Sequence, residues 1–274
     1  MNILALAKNV ALAATGTAAL HGLNIKMAVT STLSKEPPYH LTGGPLVSVV
    51  IPTIQEEGYL PYLFTSIYNQ TYGNTEVVVS DSTAPDKVAP TQELVAAWSS
   101  VLPIKLVSIA KKNVSAGRNF GAANANGEVL LFMDADCIMN HTYIEQLVGD
   151  LANHRLVHGT DGMYNNDVFN TIHSMWGMFK PRLWTTGRGV MIRAADFAAV
   201  GGYREDFDPY ISNAREDLQL GKDVEAMFGP GSVYLNRWAF TAESARRPWH
   251  FTDGNGVWDH RGYRRDGQVI DSRL

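Results

Sequence analysis

The chain has 274 residues, of which 45% are hydrophobic and 10% aromatic, and its formal net charge is −4. This apolar content can bury a core and excludes a disordered chain. The slightly acidic balance argues against a nucleic-acid partner, because such proteins usually carry a basic excess. The single cysteine, Cys137, excludes an internal disulfide framework and a cysteine-based zinc cluster. A globular protein remains, with one large α/β domain or two small ones at about 100–200 residues per domain.

The amino-terminal segment, residues 3–20, is rich in Ala and Leu and predicts a helix interrupted by polar residues. It is marginal for a membrane span, which needs about 20 mostly apolar residues, and no Lys or Arg precedes it as in a signal peptide. Three alternatives stay open: a helix packed on the protein or a partner, an anchor on a membrane surface, and a span. Residues 34–45 carry three prolines and two glycines and predict a linker, so we assign residues 1–45 to a helical segment and linker.

The region that follows alternates apolar strands with helices. In chain order it predicts strands at 47–52, 76–80, 104–109 and 128–133, with helices at 57–70, 89–100 and 115–125 between them, and a later strand at 190–193. This order predicts an α/β fold with a mostly parallel sheet, whose ligand lies beyond the carboxyl ends of the strands. Pro52, Asp81 and Asp134 all fall at strand ends, so we expect them to converge on one crevice.

An acidic pair, Asp134 and Asp136, leaves the last of these first four strands. At this spacing both carboxylates can reach one divalent cation and leave positions for water and phosphate oxygens, which favours metal–diphosphate chemistry. Two turn-forming aspartates are the alternative. The chain has no GxxxxGK[ST] phosphate loop. It has Ile138 where phosphoaspartate hydrolases need Thr, and no Gly-rich basic loop after the first strand. A retaining glycosidase with carboxylates about 5 Å apart stays possible, although the parallel order favours a nucleotide.

Six motifs occur together and in order between about Val47 and Arg247. They are VVIPTIQEE at 49–57, DST at 81–83, GRNFG at 117–121, DAD at 134–136, TGRG at 186–189 and ED at 216–217. This set resembles family 2 of the glycosyltransferases. The resemblance implies a GT-A fold, in which a Rossmann-like, mostly parallel nucleotide-binding sheet is flanked by helices. It also implies a nucleotide-diphosphate sugar donor, Mn²⁺ or Mg²⁺, and inversion at the anomeric carbon. We assign residues 46–240 to this domain and residues 241–274 to a lid or tail.

The resemblance assigns the donor site to named positions. Pro52, Thr53 and Glu56 match the loop that lines the nucleoside, and Asp81 matches the carboxylate that binds the nucleobase. Because a carboxylate accepts hydrogen bonds from uracil or from guanine, Asp81 is compatible with a UDP-sugar and with a GDP-sugar. Arg118 matches the basic residue that faces the diphosphate. A strand-end aspartate that caps the next turn is the alternative for Asp81, and a surface arginine is the alternative for Arg118.

The resemblance also assigns the reacting groups. Asp134 matches the residue that faces the ribose, and with Asp136 it holds the metal. Asp217 matches the base that takes the proton of the acceptor hydroxyl, while the metal neutralises the leaving diphosphate. Gly187 fits the loop against which sugar and acceptor lie, because glycine permits close backbone approach. A plain helix-start acid and a simple turn are the alternatives for Asp217 and Gly187.

The carboxyl-terminal tail contributes three further candidates. Arg246 and Arg247 stand where processive members carry Gln-x-x-Arg-Trp, and they are candidates to close over the diphosphate; a solvated basic pair is the alternative. His250 is a candidate third metal ligand, because imidazole binds transition metals. The Gly-rich and aromatic composition of this tail is typical of a lid that orders on donor binding, and equally of a disordered tail.

The sequence therefore predicts a metal-assisted inverting glycosyltransferase that moves a sugar from a UDP- or GDP-sugar to a glycan or lipid-linked acceptor. We expect it in the cytoplasm, with residues 3–20 as the segment that would attach it to a membrane surface. The alternative is a catalytically silent sugar-nucleotide or glycan-binding module on the same fold. The presence of Asp217 together with Asp134 and Asp136 favours the enzyme.

Overall fold

The structure is a computed structural model that describes residues 3–111, 113–165, 167–206 and 216–244. Its helices are α1 (Ile3–Ser31), α2 (Leu60–Tyr68), α3 (Ala89–Trp98), α4 (Val114–Ala123), α5 (Tyr143–Asp150), α6 (Asp167–Met178), α7 (Ala194–Ala199) and α8 (Glu216–Phe228). Its strands are β1 (Val47–Thr53), β2 (Thr75–Asp81), β3 (Ile104–Ser108), β4 (Val129–Phe132), β5 (Cys137–Met139), β6 (Leu156–Met163), β7 (Val190–Arg193) and β8 (Val233–Glu243). The predicted elements between residues 47 and 133 are all confirmed, with ends that differ by a few residues.

The strands form one mixed sheet in the order β3-β2-β1-β4-β7-β6-β8-β5. The first four strands are parallel, as expected from the alternation of strands and helices. The parallel order then breaks, because β7 runs antiparallel to both β4 and β6, and β5 runs antiparallel to β8. The α/β class and the mostly parallel sheet are confirmed, because β6 and β8 also run parallel and four of the seven strand pairs are parallel.

The antiparallel strand β7 determines which loops meet. In the register of β4 and β7, Phe132 is opposite Val190, and the Gly189 N–H donates to the Phe132 carbonyl at 3.0 Å. The segment before β7 therefore lies at the sheet edge where the chain leaves β4. As a result, the TGRG segment and the Asp134–Asp136 segment are neighbours, although residues 137–185 separate them in the chain.

Apolar cores cover both faces of the sheet. Because successive side chains of a strand point to opposite faces, Val49 and Ile51 enter the core beneath α2, whereas Val50 enters the core that contains Leu220 of α8. Helix α4 lies against the sheet at a glycine, since a Cβ on Gly121 would lie 2.5 Å from the Val50 side chain. The near-continuous apolar runs of the strands thus reflect burial on both sides.

Helix α1 packs on the protein and continues beyond its predicted end to Ser31. Its Ile25 and Val29 join a small apolar cluster with Phe240 of β8. It also contacts α6 closely, because a Cβ on Gly22 would lie 2.8 Å from the Ser174 hydroxyl oxygen. Within the described part of the chain, no helix combines the length and apolar character needed to cross a bilayer.

Candidate functional site

The carboxyl ends of β1, β2 and β4 carry the predicted site residues to one edge of the sheet. Thr53 and Asp81 are opposite each other in the register of β1 and β2. Pro52 packs against the first turn of α4, where a Cβ on Gly117 would lie 3.2 Å from the Pro52 Cβ. Asp134 follows β4 and contacts Arg118, the next residue of α4. The expected convergence of Pro52, Asp81 and Asp134 is therefore confirmed.

Asp81 is fully buried and has one satisfied carboxylate oxygen. Its Oδ1 accepts hydrogen bonds from Thr53 Oγ1 at 3.1 Å, from Thr83 Oγ1 at 2.6 Å and from the Thr83 N–H at 2.9 Å. Its Oδ2 is buried and has no hydrogen-bond partner among the described residues. Buried polar atoms are nearly always satisfied, so Oδ2 can accept a hydrogen bond from a ligand. Thr83, which orients this carboxylate, was not among the predicted site residues.

The loop between β1 and α2 is tied to the same place. Gln55 has a φ of 53°, an uncommon value for a residue other than glycine, and its N–H donates to Thr83 Oγ1 at 2.9 Å. Glu56 is buried, and its carbonyl accepts the N–H groups of Tyr59 and Leu60 at 2.9 Å and 3.0 Å as α2 begins. The predicted nucleoside loop is thus held by backbone and side-chain hydrogen bonds.

Arg118 is the centre of a second cluster. Its Nη2 donates to Asp134 Oδ1 at 2.8 Å, its Nη1 donates to Glu216 Oε1 at 2.9 Å, and its Cζ lies 5.0 Å from the ring centroid of Tyr203. The Arg118 side chain is 3% exposed, whereas those of Asp134 and Glu216 are 33% and 18% exposed. Burial acts to lower the pKa of Arg118, but the nearby negative charges, Asp134 foremost, outweigh it and raise that pKa.

Gly187 closes this cluster on one side. A Cβ at residue 187 would collide with Arg118 Nη2 and would lie 2.9 Å from Asp134 Oδ1. The Gly187 N–H also donates to Asp217 Oδ2 at 3.3 Å. The sequence predicted close backbone approach at this glycine, and in the structure the group that approaches is the Arg118 guanidinium.

Asp217 lies in the first turn of α8, where a carboxylate is stabilised by the helix dipole. The side chain is buried, and its Oδ1 accepts the Leu218 N–H at 2.8 Å. Thr185 Oγ1 donates to the Asp217 carbonyl, and Gly221 lets the next turn of α8 approach the Leu183 carbonyl. Asp217 and Arg118 therefore both contact Gly187.

The two aspartates of the DAD segment differ in their surroundings. Asp134 is paired with Arg118, while the carbonyl of Asp136 accepts the Ser244 N–H at 3.0 Å. Carboxylate oxygens are the ligands that Mg²⁺ and Mn²⁺ prefer, so the donor chemistry of this pair fits such an ion. Across the described ranges, no group of three or more His, Cys, Asp or Glu side chains could hold a metal. Arg246, Arg247 and His250 lie outside the described residues.

A further buried network lies next to the TGRG segment and was not predicted. The Asp161 carboxylate accepts hydrogen bonds from Lys180 Nζ at 2.6 Å and His173 Nε2 at 2.7 Å, and Arg188 Nη1 lies 3.1 Å away. The same Arg188 nitrogen lies 2.5 Å from Glu243 Oε1. Burial acts to raise the pKa of Asp161, but Lys180 and then Arg188 hold that pKa well below its usual value. Of these residues only Arg188 belongs to a motif, TGRG, and nothing in the sequence marks Asp161, His173 and Lys180 as its partners.

Comparison with known sequences gives one family and several relatives. The family model described as Glycosyl transferase family 2 matches residues 48–204. Validoxylamine A glucosyltransferase of Streptomyces hygroscopicus subsp. limoneus is 27% identical over 244 residues, which cover 74% of this chain and 52% of the relative. Dolichol-phosphate mannosyltransferase of Pyrococcus furiosus is 37% identical over 109 residues, which cover 39% of this chain and 30% of the relative. The chain thus spans about half the length of the Streptomyces relative.

Solved structures share the fold. TarS of Staphylococcus aureus, residues 1–349, superimposes with a TM-score of 0.57 at 17% identity, covering 73% of this chain and 60% of the TarS chain. The mannosyltransferase PcManGT of Pyrobaculum calidifontis, in complex with GDP-Man and Mn²⁺, gives a TM-score of 0.55 at 18% identity and covers 86% of this chain and 68% of that one. The mixed α/β sheet with its flanking helices is the GT-A fold.

Proposed function

The chain belongs to glycosyl transferase family 2, whose model covers more than half of it, and we propose that it transfers a sugar from a nucleotide-diphosphate sugar to a hydroxyl acceptor. One observation carries this proposal: Gly187 lies against Asp134 Oδ1 and donates its N–H to Asp217 Oδ2, at the sheet edge where β2 ends with Asp81. The metal-binding candidate, the base candidate and the nucleobase candidate thereby share one edge of the sheet.

The proposed donor is a UDP- or GDP-sugar. The unpartnered Oδ2 of Asp81 supports this choice, because a carboxylate oxygen accepts the N–H groups that uracil and guanine present. Solved structures contain TarS in complex with UDP-GlcNAc and PcManGT in complex with GDP-Man, so both nucleotides occur on this fold. Pro52, Thr53 and Glu56 form the loop proposed to line the nucleoside.

The proposed reaction inverts the anomeric carbon. The Asp217 carboxylate takes the proton of the acceptor hydroxyl while the hydroxyl oxygen forms a bond to the anomeric carbon from the far face. The bond from that carbon to the diphosphate oxygen breaks, and the nucleoside diphosphate leaves with the bonding electrons. The place of Asp217 in the first turn of α8 supports this role, because the positive end of the helix dipole stabilises a carboxylate there.

A divalent cation, Mn²⁺ or Mg²⁺, belongs to this proposal. Asp136 and Asp134 would hold it, with His250 as a further candidate ligand. When bound, the ion supplies positive charge that stabilises the leaving diphosphate. We also propose that Arg246 and Arg247 close over the diphosphate.

The proposed acceptor is a glycan or a lipid-linked molecule, with the protein in the cytoplasm and held at a membrane surface by α1. Leu20, Leu23 and Met27 of this helix are exposed, and their spacing puts them on one helical face. The opposite face carries Ile25 and Val29, which are part of an apolar cluster, so deleting α1 would damage the fold. Replacing Leu20, Leu23 and Met27 by Ser should abolish co-sedimentation with anionic lipid vesicles, and unchanged co-sedimentation would contradict this attachment.

The activity is tested by the release of nucleoside diphosphate from a panel of UDP-, GDP- and dTDP-sugars with Mn²⁺. We expect one donor to be turned over by the wild type. Asp217→Asn should lower kcat by about 10²- to 10⁴-fold, the usual contribution of a general base, with donor affinity unchanged. Asp136→Ala should lose donor turnover. Asp223→Asn is the matched control, because Asp223 lies on the same helix but pairs with the exposed Arg204.

Two outcomes would change this conclusion. Donor binding without turnover, in the presence of a broad set of acceptors, would support a catalytically silent sugar-nucleotide or glycan-binding module. Folded wild-type protein that neither binds nor turns over any donor would overturn the proposed function.

A further inference from the structure

We propose that Arg118 is a positioning residue: its guanidinium ties the segment after β4 to the first turn of α8 and so holds the Asp217 carboxylate in its reactive place. This inference rests on the proposed function. It gives Arg118 a role that differs from the diphosphate contact implied by the family resemblance.

The two terminal nitrogens of Arg118 are directed at two different acids. Nη2 donates to Asp134 and Nη1 donates to Glu216, at 2.8 Å and 2.9 Å. These partners are 16 and 98 residues away in the chain, so the guanidinium joins two distant segments. Because the guanidinium is planar and its donors have fixed directions, the two contacts set both the distance and the angle between those segments.

The guanidinium is enclosed by the surrounding structure. Tyr203 covers one face of the group at 5.0 Å, and the Gly187 backbone lies so close that residue 187 has no room for a Cβ. The Arg118 side chain is almost fully buried, while both of its acids keep part of their surface exposed. Each terminal nitrogen has a second N–H, but the side chain is only 3% exposed, so a diphosphate could reach these nitrogens only if the surrounding groups moved.

Asp217 follows Glu216 directly in the chain. The ion pair between Arg118 and Glu216 therefore fixes the backbone next to Asp217, the proposed base. The N–H of Gly187 donates to Asp217 Oδ2, and Gly187 itself is packed against the guanidinium. Loss of the Arg118 guanidinium would therefore free Asp217 in two ways, through Glu216 and through Gly187. A displacement of about 1 Å in a catalytic group can lower a rate by about 10²-fold, so the effect should be visible in turnover.

The test compares Arg118→Lys, Glu216→Gln and the double variant. Lysine keeps the positive charge but has one compact ammonium, which cannot reach Asp134 and Glu216 in the same geometry. For a positioning role, Arg118→Lys and Glu216→Gln should each lower kcat by about 10- to 100-fold, with KM for the donor within about twofold of wild type. The double variant should be no slower than the slower single variant, because both changes weaken the same ion pair.

Arg204→Lys is the matched control. Arg204 also pairs with a carboxylate of α8 through two nitrogens, Nε to Asp223 Oδ2 at 3.2 Å and Nη2 to Asp223 Oδ1 at 3.1 Å, but this pair is exposed. We expect kcat and KM of this variant to match the wild type. Thermal unfolding of every variant confirms that the folded protein is compared.

Different failures have different meanings. If Arg118→Lys keeps kcat but raises the KM and Kd of the donor, Arg118 is a diphosphate ligand and the positioning role is overturned. Additive losses in the double variant would overturn it as well. If the wild type turns over no donor, the proposed function fails, and the link is then tested by the unfolding free energies of the same three variants. Non-additive unfolding free energies would support the link between Arg118 and Glu216, and additive values would overturn it.

Discussion

Two charge clusters contact the TGRG segment, one at Gly187 and the other at Arg188, and they are built in opposite ways. In the first, the cation Arg118 is enclosed and its acids, Asp134 and Glu216, remain partly exposed. In the second, the anion Asp161 is enclosed, with 5% of its side chain exposed, and its partner Lys180 is 6% exposed. An enclosed cation with accessible acids leaves carboxylates available to a ligand, whereas an enclosed anion surrounded by cations serves the fold.

The energetics of the two clusters should differ accordingly. A buried ion pair gives little net stability, but removing one partner is costly because the other charge stays buried without compensation. In the Asp161 cluster this cost falls on the fold, since Lys180 and Arg188 belong to segments that the carboxylate joins. In the Arg118 cluster, we expect the removal of a charged partner to lower kcat more than it lowers the free energy of unfolding. The following predictions separate the two clusters, starting with the largest effect.

Asp161→Asn should lower the free energy of unfolding by about 3–5 kcal/mol, because it leaves Lys180 buried without its counter-charge. Urea denaturation at neutral pH measures this loss. We expect the turnover per folded molecule to stay within a few-fold of the wild type. A variant of wild-type stability, or one that is stable but inactive, would contradict a structural role for Asp161.

Gly187→Ala should show the reverse pattern. The new Cβ would collide with the Arg118 guanidinium, which is ion-paired and cannot move aside freely. We expect kcat to fall by about 10- to 100-fold and the free energy of unfolding to fall by about 1–3 kcal/mol. Gly149→Ala in α5 is the control, because no atom lies within 4 Å of its Cβ position, and it should leave activity unchanged. Full activity of Gly187→Ala would show that the cluster tolerates displacement.

His158 provides a pH-dependent test of how deeply the region around Asp161 is buried. It lies buried on β6, its Nε2 is 2.7 Å from the Arg182 carbonyl, and burial together with the charge of Lys180 lowers its pKa to about 3. A histidine whose folded pKa lies below its unfolded value stabilises the fold above about pH 6.5. This contribution is lost as the pH falls towards 3. Each unit in that range should remove about 1.4 kcal/mol from the free energy of unfolding.

The pH dependence is measured by urea unfolding at pH 7, 6, 5 and 4. His158→Gln keeps a side-chain N–H for the Arg182 carbonyl and carries no titratable group, so it should remove this part of the slope. An equal slope in the wild type and the variant would show that His158 is not the group that titrates.

Two buried tyrosines give the smallest expected difference in the free energy of unfolding. The Tyr143 hydroxyl donates to the Gly189 carbonyl at 2.6 Å and accepts the Gly159 N–H at 3.1 Å, so Tyr143→Phe should cost about 1–3 kcal/mol. The Tyr203 hydroxyl beside Arg118 has no hydrogen-bond partner among the described residues. Tyr203→Phe should therefore stay within about 0.5 kcal/mol of wild type in the free energy of unfolding, as measured by urea denaturation. A large loss for Tyr203→Phe would reveal a contact of that hydroxyl that the described residues do not provide.

Local sequence pattern predicted the first half of the fold well. Apolar β-branched runs such as those around Val49 and Val78 mark buried strands, and the helices between them follow the apolar spacing. Once the order is strand, helix, strand, the parallel arrangement follows from the handedness of the crossovers. The convergence of Pro52, Asp81 and Asp134 could therefore be predicted, because parallel strands end at the same edge.

By itself, the sequence determined the strands and helices from residue 47 to residue 133, the acids at the strand ends and the family, all of which depend on local pattern or ordered motifs. Only the tertiary structure decided that β7 is antiparallel to β4, that Arg118 joins Asp134 to Glu216, and that Asp161 collects its cations from distant segments. Pairing between segments 98 residues apart depends on the strand order and on the burial it creates. No local periodicity encodes that order, because the same strand pattern fits several neighbours in a sheet.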